Sequence, residues 1–390
     1  MKSFLLRLKR FCGFLAGFVF FIAGIFKLLD PVGAGLVMKE YMDFLHLGFL
    51  SGIAKVTAVV LAFAETVIGT ALVTGIWRKA TAFVSLVFQI FFTILTLLLV
   101  IFNPEMDCGC FGEAIHLTHL ETFIKNIILL ALLLAFAFPF RYLGGPKKHK
   151  YASFAIVTVS VLVFTVYSWM YIPLVDYTAF KPAAALQAGS AFGLQDEERY
   201  EAVFVYEKDG VTEEFTLGHL PDSTWSFVET RTSLKEGYDD VNISLSFYDE
   251  EGNYQDTLAA GAKVLVMSLY DVNLRQSTWK RIETFTDMAE DIGFRTLVLV
   301  SELPEAPVLD NMYVCDYKTL ITMNRSNGGV TYFNDGYLVC KWAARTRPDA
   351  LQLEEIYSGD DTEVIIDSDS KGRLAFQGFL LYVFAVMLLL

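Results

Sequence analysis

Two cysteines separated by a single glycine, in Asp107-Cys108-Gly109-Cys110-Phe111-Gly112, stand between two long apolar runs of a 390-residue chain. Thiols this close can hand a disulfide from one to the other, because the thiolate of one sulfur can attack a mixed disulfide on its neighbour. A one-residue spacer strains an internal disulfide and makes it easy to reduce, which suits exchange better than bracing. Two other readings stay open. With His116 and His119 the pair forms Cys-x-Cys-x5-His-x2-His, a four-ligand set for zinc or copper. Alternatively, Cys108 and Cys110 are small residues of a tight turn that never react.

A second group carries charge into apolar sequence. Glu65 lies inside a long hydrophobic run, where a carboxylate is costly unless it is paired or faces a polar cavity. It is either part of a functional site or a packing partner of Lys27 or Lys55. Lys27 and Asp30 close the preceding apolar run, as snorkelling and capping groups or, with Glu65, as the lining of a polar site for a quinone headgroup beside the cysteines. No motif names the cofactor.

The elements that must hold these residues are membrane helices. Hydrophobic residues make up 54% of the chain and charged residues 19%, too apolar for an ordinary soluble protein. Five runs near 11–29, 50–76, 80–102, 121–143 and 151–173 can each cross a hydrocarbon core about 30 Å thick. A sixth, 374–390, sits at the lower length limit and reads as a short anchor or an incomplete span. Lys2, Arg7, Lys9 and Arg10 precede the first run, Arg78 and Lys79 join the second to the third, and Arg141, Lys147, Lys148 and Lys150 join the fourth to the fifth. The excess of Lys and Arg on these segments makes them cytoplasmic. Alternation then puts a loop at 30–49, the cysteine loop and residues 174–372 outside an inner, cytoplasmic membrane, with the N-terminus inside.

The external part is acidic, holding about 36 acidic and about 16 basic residues of a chain whose net charge is −13. Such a surface argues against nucleic acid, and five cysteines are too few for a disulfide framework. A linker, Lys181 to Gly193, precedes a hairpin of Ala202–Tyr206 and Glu214–Leu217 about Lys208-Asp209-Gly210. An alternating segment follows at Asn242–Phe247. The period then changes to a continuous apolar strand Lys263–Leu269, a helix Ser277–Ile292 ended by Gly293, a strand Thr296–Val300, a short helix Tyr317–Asn324, a hairpin about Asn334-Asp335-Gly336 and a helix after Pro348. This is an α/β layout with a mixed sheet.

The first 145 residues resemble the DoxX/MauE group of four-helix membrane proteins. Phe21 to Pro31 is similar to the group's Gly-x-x-Lys-x-x-Asp-Pro helix end, Glu65 with Gly69 to its intramembrane acid, Asp107–Gly112 to the MauE loop motif, and Lys125-Asn126 also fits. The resemblance implies a thiol role outside the cytoplasm, since MauE-type proteins are linked to methylamine utilisation and to maturing a disulfide-rich subunit. Phe247–Gly252 is similar to the leading hairpin of peroxiredoxin-type proteins and Val330–Gly336 to the strand after a cis-proline, so residues from about Phe247 to Trp342 resemble a thioredoxin-like domain. Where its Cys-x-x-Cys should follow the Lys263–Leu269 strand, this chain has Tyr270-Asp271-Val272-Asn273-Leu274, and Gly328 stands where the cis-proline belongs. The resemblance therefore implies a degenerate domain that docks a client rather than exchanging dithiols. It also places Cys315 and Cys340 on strands that are not neighbours, as buried inert thiols; Cys12 is expected to be unreactive.

The expected layout is thus a four-helix DoxX/MauE-like membrane bundle over 1–145, a fifth span at 151–173, a linker and hairpin region at 174–246, a degenerate thioredoxin-like domain at 247–360 and a sixth apolar segment at 374–390. The expected function is thiol-disulfide chemistry by Cys108 and Cys110 during maturation of exported proteins, with an exported client and membrane lipid as partners. The alternative is a non-enzymatic anchor whose external domain binds a partner.

Overall fold

The computed structural model describes residues 2–138, 148–187, 200–208, 211–216, 221, 224–234, 242–304 and 309–389. The turn at Asp209-Gly210, the basic residues Arg141 and Lys147, and residues 188–193 of the expected Lys181–Gly193 linker lie outside them. The chain divides into two compact units: Met1–Thr178 with Ile366–Leu390, and Ala179–Ile365.

Among the described residues, six helices are long and apolar enough to cross a membrane: Leu6–Leu29 within α1 (Lys2–Leu29), Gly48–Thr74 ending in α3 (Ala54–Thr74), α4 (Arg78–Phe102), α5 (His119–Ala137), α6 (His149–Met170) and Asp361–Leu389. Helices α1 and α3 approach closely because glycines face each other. A Cβ on Gly69 would lie 2.5 Å from the Phe21 nitrogen, and one on Gly24 2.1 Å from Thr66 Oγ1. Small residues permit such contact where lipid offers no hydrophobic drive for association. Helices α4 and α5 are tied by polar side chains instead: Asn126 Nδ2 donates to Thr96 Oγ1 at 3.1 Å, and Gln89 Nε2 donates to the Asn126 carbonyl at 3.1 Å.

The sixth segment is longer than its apolar run, because the helix starts at Asp361. Its middle packs on α6, with Phe164 stacked on Phe379 at 4.5 Å. Its end meets Lys150, whose Nζ donates to the Met387 carbonyl at 3.0 Å. The expected loop at 30–49 is mostly a helix, α2 (Pro31–Phe44). Asp30 accepts from the Gly33 amide at 2.9 Å and Pro31 fills the first helical position, a start signal that outweighs the short apolar pattern.

The second unit is built on an eight-stranded sheet in the order β6–β2–β12–β11–β8–β9–β10–β7. In chain order these are β2 (Ala185–Gln187), β6 (Asn242–Ser244), β7 (Phe247–Tyr248), β8 (Val264–Leu269), β9 (Arg295–Val300), β10 (Met312–Cys315), β11 (Gly329–Asn334) and β12 (Tyr337–Trp342). Strands β8, β9 and β10 are parallel, whereas β11 runs antiparallel to β8 and β12 antiparallel to β11. The sheet is therefore mixed, and β2 falls within the stretch read as linker. Strand β8 is buried throughout, and apolar but for Ser268, because both faces are covered. Leu265, Met267 and Leu269 meet Trp279, Ile282, Phe285 and Ala289 of α7 (Gln276–Ile292), while Val264 and Val266 meet Leu320 and Met323 of α8 (Tyr317–Met323). A helix α9 (Ala350–Ser358) adds Leu353 to the first face. A separate three-stranded sheet, β4–β3–β5, joins the expected hairpin (Tyr200–Lys208, Val211–Thr216) to a further strand, Ser226–Leu234.

Candidate functional site

Residues 103–118 connect α4 to α5, and the start of α5 is fixed by its own sequence. Thr118 and Glu121 form a reciprocal capping box. The box places His119 at the first helical position, with its ring over the loop. His119 Nε2 lies 2.9 Å from the Pro104 carbonyl, which can only accept. Nε2 therefore carries a proton, which in the neutral form of the ring leaves Nδ1 as an acceptor. The Cys108 thiol donates to that Nδ1 at 2.9 Å.

The backbone around Cys108 is held from α2. Tyr41 donates its hydroxyl to the Cys108 carbonyl at 2.9 Å. Gly109, at φ +57°, has the left-handed turn a side chain resists, and a Cβ there would lie 2.5 Å from Val37 Cγ1. Gly112 packs against the end of α1, where a Cβ would stand 3.2 Å from the Phe26 carbonyl and 3.6 Å from Lys27 Cα. Cys110 begins a short extended segment, β1 (Cys110–Glu113), and Lys125 Nζ lies 5.0 Å from the Phe111 ring centre. Both cysteines are free thiols.

Cys108 is 5% exposed and Cys110 is half-buried. Burial pushes the Cys108 thiol above its ordinary pKa; the Thr122 hydroxyl and the Lys125 charge pull the other way, and Cys110 and Asp107 add to the rise. Burial likewise raises Tyr41, with Cys110, Cys108 and Glu40 contributing. Its hydroxyl thus stays protonated and able to donate.

The charged residues inside the bundle also meet. Lys27 Nζ and Glu65 Oε2 form an ion pair at 2.6 Å, with side chains 19% and 12% exposed. Asp30 is used as the cap of α2, and Lys55 lies over the Trp169 ring at 4.4 Å. His116 does not join the cysteines. It lies 3.6 Å from Asp107 and 4.0 Å from Glu113, and no group of three or more metal-ligating side chains occurs among the described residues. The structure thus brings Cys108 and His119 together and leaves His116 apart. Sequence reading missed Tyr41 and Val37 altogether, and took His119 only as a metal ligand. The Thr118–Glu121 capping box was the signal that could have placed the ring.

Where the resemblance put a Cys-x-x-Cys, residues Tyr270–Leu274 form a loop locked to its neighbour. Asn327 Nδ2 donates to the Asp271 carbonyl at 2.8 Å, and the Asp271 amide donates to Asn327 Oδ1 at 3.1 Å. Cys315 and Cys340 are free and buried, on opposite faces of the sheet.

Residues 3–139 match the family model of the methylamine utilisation protein MauE, and residues 200–237 match a domain of unknown function, DUF8463. No curated protein and no solved structure matches the chain. The second match coincides with the three-stranded sheet; the first spans α1 to α5 and contains the cysteine loop, the Lys27–Glu65 pair and Asn126. Residues 3–139 are therefore similar to MauE, and the helices long and apolar enough to cross a membrane mark the chain as an integral membrane protein.

Proposed function

We propose that the protein carries out thiol-disulfide exchange at the non-cytoplasmic face of the cytoplasmic membrane, on Cys108 and Cys110, during the maturation of exported proteins. The observation that carries this reading is the hydrogen bond from the Cys108 thiol to His119 Nδ1, with Nε2 held by Pro104. A neutral imidazole aimed at a thiol can take its proton and so generate the attacking thiolate. A turn that merely used two small residues would need neither the ring nor its fixed tautomer. The family's printed name supports an accessory task in methylamine utilisation. In this reading the N-terminus is cytoplasmic and residues 174–372 are external, as the basic loops imply. The Lys27–Glu65 pair links α3 to the end of α1 that the cysteine loop packs against, and a lipid-soluble quinone is the membrane redox partner that fits this location.

Within the unit Ala179–Ile365, residues 247–360 are read as a thioredoxin-like domain without a Cys-x-x-Cys. Parallel β8 and β9 joined through α7, followed by α8 and the antiparallel β11–β12 pair, support that reading. The locked Tyr270–Leu274 loop supports client docking by this unit rather than exchange.

The test is the in-cell redox state of the loop, trapped with a membrane-permeant alkylator and read by the mass of the loop peptide. A population of Cys108–Cys110 disulfide that grows with oxidant, with loss of complementation in Cys108→Ser and in Cys110→Ser, is expected. Full complementation by the double mutant would leave the accessory reading in its place.

A further inference from the structure

The two sulfurs of the loop differ in access and in company. Cys108 is 5% exposed, its thiol bonded to His119 Nδ1 and its carbonyl to Tyr41. Cys110 is half-buried, and among the described residues its thiol has no hydrogen-bond partner. A substrate disulfide must approach a sulfur directly, so the more accessible sulfur is the one it can reach, and the sulfur beside a base is the one that can be deprotonated on demand.

We infer a division of labour: Cys110 captures the substrate disulfide, and Cys108, with His119 as its base, resolves the mixed disulfide. This rests on the exchange reading above and adds the order of the two sulfurs, a catalytic base and the substrate class, a disulfide presented from the aqueous side of the loop. In the first step the Cys110 thiolate, its proton lost to solvent, attacks a substrate R–S–S–R′. The Cys110–S–S–R bond forms, and R′–S⁻ leaves with the electron pair of the broken bond and is protonated by solvent. In the second, His119 Nδ1 accepts the Cys108 proton and the Cys108 thiolate attacks the Cys110 sulfur. The Cys108–Cys110 bond forms, and R–S⁻ leaves and takes the proton from the imidazolium. The substrate disulfide is reduced to two thiols and the pair is oxidised. Throughout, the Nε2–H bond to Pro104 keeps the ring oriented. Gly109 lets the chain turn between the sulfurs without a side chain striking Val37.

The experiment uses the full chain in detergent micelles with 4,4′-dithiodipyridine as the disulfide. The reaction is quenched at intervals and the loop peptide is weighed and fragmented. The wild type is expected to show an adduct on Cys110 that converts to the internal disulfide. Cys108→Ser should form the Cys110 adduct at the wild-type rate and hold it. In His119→Ala and His119→Asn, capture at Cys110 at the wild-type rate shows an intact loop, and closure should be about 100-fold slower, the range lost with a general base. A first adduct on Cys108 overturns the order of the sulfurs. Closure at the wild-type rate in the His119 variants, or capture slowed as much as closure in both, overturns the base. A wild-type Cys110 adduct that never closes overturns the exchange reading itself, and is distinguishable from either of the other failures.

Discussion

Two cysteines lie in the sheet unit and two in the cysteine loop of the bundle unit, and their surroundings differ in kind. In the sheet unit, Cys315 and Cys340 are packed among apolar side chains. Burial, with Asp316 adding to it, pushes Cys315 to about 12, and burial followed by Asp361 also pushes Cys340 up. In the bundle unit, Cys108 is equally hidden, yet its thiol meets an imidazole, and a hydroxyl and an ammonium oppose the effect of burial. If Cys108 exchanges disulfides as proposed, the difference teaches that burial alone does not make a thiol inert. What decides is whether polar groups are held close enough to stabilise the thiolate or take the proton.

The comparison breaks most easily on alkylation. A pKa of about 12 against the ordinary 9.0 leaves Cys315 about 1,000-fold less thiolate than a free cysteine at pH 8. The sign follows from the raised value: reactivity rises about tenfold per pH unit up to that pKa and never levels off in a workable range. N-ethylmaleimide should therefore label Cys110 rapidly in the native chain and spare Cys315 until denaturant is added. Native labelling of Cys315 as fast as Cys110 would erase the distinction between the units.

A smaller effect sharpens the bundle's side of the contrast. The sheet unit is held by apolar layers on both faces of β8, but the bundle contains the Lys27–Glu65 pair at 2.6 Å. Lys27→Met strands a carboxylate among helices and should cost about 3–5 kcal/mol, read as a lower melting temperature of the solubilised chain. Lys27→Met with Glu65→Leu should recover most of that loss. If the double variant is as stable as the wild type yet cannot complement, the pair has a role beyond packing. If it complements fully, the pair is structural.

How much of this could be read from residues alone depended on the range of the forces involved. The spans were legible because twenty apolar residues in a row have few other uses, and α7 because Trp279, Ile282, Phe285 and Ala289 repeat at helical spacing. Strand β2, three residues in a Pro- and Ala-rich stretch, was not legible, since only pairing with β12 and β6 makes it a strand. The same holds at the site. Cys108 and Cys110 advertise themselves by spacing, whereas Tyr41 reaches them from 67 residues away. His119 was visible only as one of four alternative metal ligands, because sequence gives the distance along the chain and not the direction of a ring. Asp30-Pro31 was legible as a helix end; that it also starts α2 required weighing Asp30 as a cap for the residues after it.

That cap supplies the smallest effect and the most specific one. Asp30→Ala removes the bond to the Gly33 amide, worth about 1 kcal/mol in a helix N-cap. The bundle should tolerate this, since α1 and α3 remain packed through Gly24 and Gly69. Helix α2, however, carries both Val37 against Gly109 and Tyr41 bonded to the Cys108 carbonyl. A loss of 1 kcal/mol that falls on α2 opens it about fivefold more often, and each opening uncovers Cys108. Alkylation of Cys108 should therefore rise about fivefold in Asp30→Ala and by a similar factor in Tyr41→Phe, while Cys315 labelling stays unchanged. A rise at Cys315 as well would mean that the substitution loosens the whole chain, and no change at Cys108 would mean that α2 does not hold the loop. A rise confined to Cys108 would identify Pro31–Phe44 as the element that keeps the resolving thiol covered until it is needed.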